Sequence, residues 1–134
     1  MAKLEEIEGI GPKYAATLRK AGVRSIGDLL QKGSTPEGRK TIAKDSGLSP
    51  KLILEWVNHS DLMRIKGVGE EYADLLEEAG VDTVVELAQR KAANLHESMA
   101  KTNEKKKLVR QMPGLSKIEG WISQAKKLPR VVKY

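Results

Sequence analysis

A chain of 134 residues with 24 Lys and Arg against 18 Asp and Glu, net charge +6 and no cysteine has room for one ordinary domain, or for two small ones that lean on each other. Without cysteine a disulfide framework and a thiolate metal site are excluded, and no apolar run reaches membrane-spanning length, so a cytoplasmic protein with no membrane partner is expected. Phenylalanine is absent while Ala, Leu, Glu and Lys dominate, a composition that favours short helices over strands and predicts an all-α fold.

At the N-terminus Glu5, Glu6 and Glu8 read as helix-start carboxylates. The run Ile7-Glu8-Gly9-Ile10-Gly11-Pro12-Lys13-Tyr14-Ala15 then predicts a sharp bend leading into a helix. Its two glycines let the backbone turn tightly and approach a partner closely, with Ile10 between them placed to plug the core. In the helix that follows, Tyr14, Ala15, Leu18 and Ala21 form one apolar stripe, and Gly22 ends it. A new helix starts at Ser25. Two more start at Thr35-Pro36 and Ser49-Pro50, where proline at the first helical position gives up only an amide that had no partner. The second of these lies in Gly47-Leu48-Ser49-Pro50-Lys51, which echoes Gly9-Ile10-Gly11-Pro12-Lys13 38 residues on.

After that the chain begins again. A shift of 58 residues sets Leu4, Ile7, Gly9, Gly11, Tyr14, Ala15, Leu18, Ala21, Gly22, Val23 and Leu29 on identical residues from Leu62 to Leu87, eleven identities in 27 positions. With gaps, Ile42-Ala43-Lys44 meets Met99-Ala100-Lys101, Gly47-Leu48-Ser49 meets Gly114-Leu115-Ser116, and Ile53 and Trp56 meet Ile118 and Trp121. The second copy gains ten residues, which include Lys105, Lys106, Lys107 and Arg110. Gly80 again ends a helix, Thr83 with Glu86 starts the next as a capping box, and Ser116 with Glu119 is expected to start the last. That helix carries Ile118, Trp121, Ile122 and Ala125 on one face and stops before Pro129. The division is repeat one over residues 1–60, repeat two over 61–128, and a basic tail over 129–134 that is expected to be loosely ordered. Trp56, Trp121, Tyr14 and Tyr72 read as core residues and not as base-stacking platforms.

The run from Ile7 to Ala15, followed by Leu18 and Gly22, resembles the helix-hairpin-helix motif, apolar-x-Gly-apolar-Gly leading into a helix with an Ala and a Leu. With its echo at Gly47, each repeat is similar to the paired-hairpin, five-helix module at the N-terminus of archaeal and eukaryotic strand-exchange recombinases and in bacterial repair and junction-binding proteins. The whole chain resembles a family of tandem helix-hairpin-helix proteins that is itself a domain of unknown function. The resemblance implies two tandem paired-hairpin domains of short helices that grip the sugar-phosphate backbone without reading sequence.

Charge separates the hairpins. Residues 1–64 carry 11 basic and 8 acidic side chains, residues 65–100 carry 3 and 8, and residues 101–134 carry 10 and 2. In the first hairpin Lys13 sits at the helix start with Arg19, Lys20 and Arg24 expected nearby, so a phosphate would meet both helix-start amides and cations. In the third, Glu70, Glu71, Asp74, Glu77 and Glu78 would repel phosphate. The candidate nucleic-acid-binding residues are therefore Gly9, Ile10, Gly11 and Lys13, then Gly47, Leu48, Ser49 and Lys51, then Lys105, Lys106, Lys107 and Arg110. DNA is the expected partner ahead of RNA, and the alternative is a partner protein on the acidic second repeat. His59 and His96 lack metal-site spacing, and no nucleophile triad or phosphate loop is present, so neither metal, cofactor nor enzyme activity is expected. The oligomeric state stays open.

Overall fold

The structure, a computed structural model, describes residues 3–7 and 9–134. Met1, Ala2 and Glu8, one of the expected helix-start carboxylates, lie outside the described residues. Among the described residues a single 3-10 turn (Leu4–Glu6) precedes eight α-helices and there is no strand: α1 (Gly11–Lys20), α2 (Ile26–Lys32), α3 (Pro36–Ser46), α4 (Pro50–Leu62), α5 (Glu70–Glu78), α6 (Val84–Ala88), α7 (Ala92–Lys106) and α8 (Leu115–Lys127).

Hydroxyl caps set the starts of α2, α3 and α6. Ser25 Oγ accepts the amide of Asp28 at 3.1 Å, and Asp28 Oδ2 accepts the amide of Arg24 at 3.1 Å. Thr83, Glu86 and Asp82 repeat the pattern at α6. The carboxylate thus satisfies the amide before the cap and not the cap's own, a one-residue variant of the capping box. Thr35 caps α3 through the amide of Gly38 at 3.1 Å, with Pro36 at the first position. Helices α1 and α5 end in the same wrap: the amides of Gly22 and Val23 return to Arg19 and Leu18 at 3.0 and 2.9 Å, and those of Gly80 and Val81 to Glu77 and Leu76 at 3.0 and 2.8 Å. Each wrap drives its valine into the core.

The last helix departs from expectation. It starts at Leu115 behind the extended Gly114, so Ser116 lies inside the first turn and caps nothing. Trp56 and Trp121 stand six residues into α4 and α8, a register that sets Ser49 on Gly114 and Leu48 on the buried Pro113. The sequence pairing of Gly47-Leu48-Ser49 with Gly114-Leu115-Ser116 is therefore two residues out of step, and Leu115 is left 43% exposed.

Two compact units form. One comprises the described residues through Asp61 together with Val131–Tyr134, and the other Leu62–Arg130. In the first, α1 packs on the 3-10 turn and on α3, and α2 packs on α3, around Leu4, Ile7, Ala15, Leu18, Leu29, Ile53 and Trp56. In the second, α6 and α7 pack on α8 and α5 on α7, around Ile65, Ala73, Leu76, Val84, Leu87, Leu95, Met99 and Trp121.

The tail is not loose. Val132 is 2% exposed, the amide of Lys133 donates to the carbonyl of Ser34 at 2.7 Å, and Tyr134 Oη donates to Asn58 Oδ1 at 3.1 Å. Arg39, buried in α3, holds both sides: it donates to the carbonyl of Gly33 at 2.9 Å and to that of Lys133 at 2.8 Å, and the Tyr134 ring centroid lies 5.9 Å from its guanidinium. Burial pulls the Arg39 pKa down from its usual value, but an arginine stays charged at neutral pH. The β-branched pair Val131-Val132 gains from the core what a solvated basic tail would not. Arg39→Met should lower the unfolding free energy of this unit by about 2 kcal/mol, since hydrogen bonds from a charged donor to two carbonyls are lost. Urea unfolding followed by Trp fluorescence measures this, and an unchanged midpoint would remove the tail from the account of its stability.

Candidate nucleic-acid interface

The candidate site grows from the bend before α1. The amides of Ile7 and Ile10 return to the carbonyls of Leu4 and Ile7 at 3.1 Å, and in unit two those of Ile65 and Val68 return to Leu62 and Ile65 at 3.1 Å. Ile10 and Val68 are 2% and 4% exposed, the expected plugs. Gly9 and Gly67 take φ of +88° and +94°, the left-handed region that disfavours any side chain.

Beneath each bend lies a tryptophan. A Cβ on Gly9 would stand 3.9 Å from Trp56 Nε1, and one on Gly67 3.1 Å from Trp121 Nε1. Tyr14 tilts over Trp56 and Tyr72 over Trp121, each with ring centroids 5.3 Å apart. The tryptophans are core residues as expected, but the tyrosines are not. Tyr14 is 37% exposed, and the half-buried Tyr72 donates its hydroxyl to the carbonyl of Gln111 at 3.1 Å. Their rings cover the indoles while their polar ends reach outward.

At the start of α1 no side chain caps the helix and no acidic residue stands in the first turn. Gly11 has φ +62° and nothing within 4 Å of where a Cβ would be, and Lys13 is exposed. Arg19, Lys20 and Arg24 do not join this spot. Lys20 lies seven residues further along α1, a rise of about 10 Å, and Arg24 follows the end of the helix. Arg19 donates to Glu5 Oε1 at 2.7 Å, which holds the Glu5 carboxyl below its usual pKa and raises that of Arg19. Lys13 is the basic residue at the bend itself.

The second candidate segment is shaped differently. Gly47, at φ +73°, caps α3 with its amide on the carbonyl of Ala43 at 2.8 Å. The amide of Leu48 is taken by Ser46 Oγ and that of Lys51 by Ser49 Oγ, both at 3.2 Å. Gly47, Ser49 and Lys51 are exposed and Leu48 is half-buried. With these amides committed, the segment offers a hydroxyl and an ammonium group to an anion. Lys51 precedes Trp56 by five residues on α4, a rise of about 8 Å, so both segments of unit one lie against the same helix.

In unit two Lys105 and Lys106 end α7, and Lys107 takes a left-handed conformation at φ 51°. Asn103 folds the inserted turn, donating to the carbonyl of Val109 at 3.2 Å and accepting its amide at 2.9 Å. All four basic residues of this segment, Lys105, Lys106, Lys107 and Arg110, are exposed, with Lys106 ion-paired to Glu78. At the start of α5, Gly69 has φ −91° and Glu70 and Glu71 fill the first turn. An open groove of about 370 Å³ lined by Gly67, Gly69, Glu70, Glu71 and Tyr72 lies there. Among the described residues no three His, Cys, Asp or Glu side chains gather to hold a metal ion, and no helix is long and apolar enough to cross a membrane.

The profile of a family described as Domain of unknown function (DUF4332) matches residues 8–128. The chain belongs to this family. The DUF4332 span takes in both glycine bends, both tryptophans and the inserted turn, and leaves out the Val131–Tyr134 segment that closes unit one. No curated protein and no solved structure matches the chain.

Two outcomes check this geometry. Gly9→Ala and Gly67→Ala should each destabilise by about 1–2 kcal/mol for the left-handed backbone alone, with Gly67→Ala the worse because its methyl meets the indole at 3.1 Å. Equal denaturation midpoints for Gly67→Ala and the parent chain would contradict the tryptophan seat. Because the Glu5 pKa is lowered in the fold, its pairing favours the folded state above the unfolded carboxyl pKa and is lost as pH falls through the lowered one. An NMR titration should show the Glu5 midpoint rising in Arg19→Gln, and an unmoved midpoint would break the assignment.

Proposed function

We propose that this chain is a non-sequence-specific binding module for the nucleic-acid backbone, DNA ahead of RNA, built from two tandem helix-hairpin-helix repeats and not an enzyme. Support for the repeat architecture comes from the recurrence of the glycine bend, the valine wrap and the tyrosine–tryptophan pair in both units. The observation that carries the binding role is the start of α1, where the helix has no side-chain cap, no acid in its first turn, an open glycine backbone and Lys13 alongside. Helix-start amides and the positive end of the dipole favour a phosphate oxygen there. Gly9 and Gly11 let the backbone come close, Ile10 anchors the bend, and Lys13 supplies charge. Ser49 and Lys51 add a hydroxyl and a second cation, Gly47 and Leu48 hold that segment in shape, and Lys105, Lys106, Lys107 and Arg110 extend the positive field.

Fluorescence anisotropy with a labelled DNA duplex at two salt concentrations tests this. With roughly three to five phosphates neutralised, affinity should be micromolar or weaker and should fall steeply as salt rises. It should be indifferent to duplex sequence and fall roughly tenfold in Lys13→Glu/Lys51→Glu, while Glu70→Gln/Glu71→Gln should not weaken it. Absence of binding at low salt would overturn the proposal. A second reading, a protein-interaction or scaffold role for the acidic repeat, is favoured by the groove at Gly67 to Tyr72. Binding of a lysine-rich peptide that Glu70→Lys/Glu71→Lys abolishes, with no DNA binding, would put that reading first.

A further inference from the structure

In unit one the cleft between the α2–α3 turn and α4 is occupied. The extended segment Val131–Tyr134 lies along it, with the Lys133 amide on the Ser34 carbonyl, the Lys133 carbonyl on Arg39, and the Tyr134 hydroxyl on Asn58. Aligning the starts of α3 and α7 sets Ser34, Thr35 and Pro36 on Arg90, Lys91 and Ala92. Aligning the tryptophans of α4 and α8 sets Val57, Asn58 and Asp61 on Ile122, Ser123 and Lys126. Those six residues of unit two, with Glu119, line an open groove of about 470 Å³. The same place in the two units is filled by an extended segment in one and open in the other.

We infer that the groove of unit two docks an extended, acidic segment of a partner protein, in the place that Val131–Tyr134 takes in unit one. Ile122 stands where Val57 stands and gives an apolar floor for one small β-branched side chain. The turn at Arg90 and Lys91 is placed to pair with the segment's main chain as Ser34 does, and Ser123 offers a hydroxyl where Asn58 grips a tyrosine. The rim decides the charge of the occupant. Arg90, Lys91 and Lys126 line the groove with Glu119 as the one acidic residue of its lining, so carboxylates flanking the apolar residue are attracted and a basic segment is repelled. Such a rim selects against this chain's own tail, which carries Arg130 and Lys133. The groove shares no lining residue with the acidic bend, and the inference does not depend on the nucleic-acid proposal.

The test uses the full chain, isotope-labelled, and two acetylated peptides, Glu-Val-Val-Glu-Tyr and its basic parent Arg-Val-Val-Lys-Tyr. The acidic peptide should shift the amide signals of Lys91, Ala92, Ser123 and Lys126 saturably, and should bind roughly tenfold tighter than the basic one. Lys91→Glu/Lys126→Glu, a pair of exposed substitutions, should reverse that order with the rest of the spectrum unchanged. Shifts elsewhere, equal affinity for both peptides, or unchanged affinity in the double variant would each overturn the inference. So would a DNA duplex that shifts the same four signals and displaces the peptide, which would make the groove a phosphate site. A concentration-dependent dimer that the double variant dissolves would instead assign the groove to a second copy.

Discussion

A tryptophan pressed beneath a glycine bend is the contact from which each unit is organised. The indole comes from a late helix and the bend from the start of the same unit, so one contact joins elements far apart in the chain and fixes where the following helix begins. A buried tryptophan contributes a large apolar surface; over Trp121 it leaves no ordinary room for a Cβ on Gly67, whereas over Trp56 the left-handed backbone of Gly9 alone asks for glycine. The tilted tyrosine extends the same surface to the first turn of α1 or α5. Core packing and the orientation of a helix N-terminus are thereby one constraint.

On that shared frame the two units have diverged in charge. Unit one has no acidic residue in the first turn of α1 and sends Arg19 to pair with Glu5. Unit two fills the equivalent turn with Glu70 and Glu71 and carries its cations on the α6–α7 turn, on α8 and in the inserted turn. The cleft beside α4 and α8 differs likewise, closed by a strap of chain in one unit and rimmed by lysine and arginine in the other. The packing is repeated between the units and the surface charge is not.

What was legible in the sequence was local. Ser25, Thr35, Ser49 and Thr83 announce helix starts because a hydroxyl cap acts within three residues. Gly9, Ile10, Gly11 and Lys13 stand out because a tight turn and a plug need those residue types at that spacing. The start of α7 carries no such signal, since Lys91 caps it without a side-chain bond. The strap was hidden because its partners Ser34, Arg39 and Asn58 lie 76 to 99 residues away, and Arg39 reads in sequence like any surface arginine. At the second segment the serine that takes the Leu48 amide is Ser46, one residue outside the echo of the first bend, so the commitment of those amides could not be read from the echo. The register slip at Gly114 arose because identity of three residues outweighed the spacing to Trp121.

The central claim is that the bend over Trp56 presents the start of α1 to an anionic backbone while its counterpart over Trp121 does not. A residue-resolved NMR titration of the full chain with a short DNA duplex at low salt measures both bends at once. The account predicts saturable shifts at Gly11, Lys13 and Tyr14 that fade as salt is added, with Glu70, Glu71 and Tyr72 unmoved. Silence at Gly11, Lys13 and Tyr14 while signals from the inserted turn shift would contradict it.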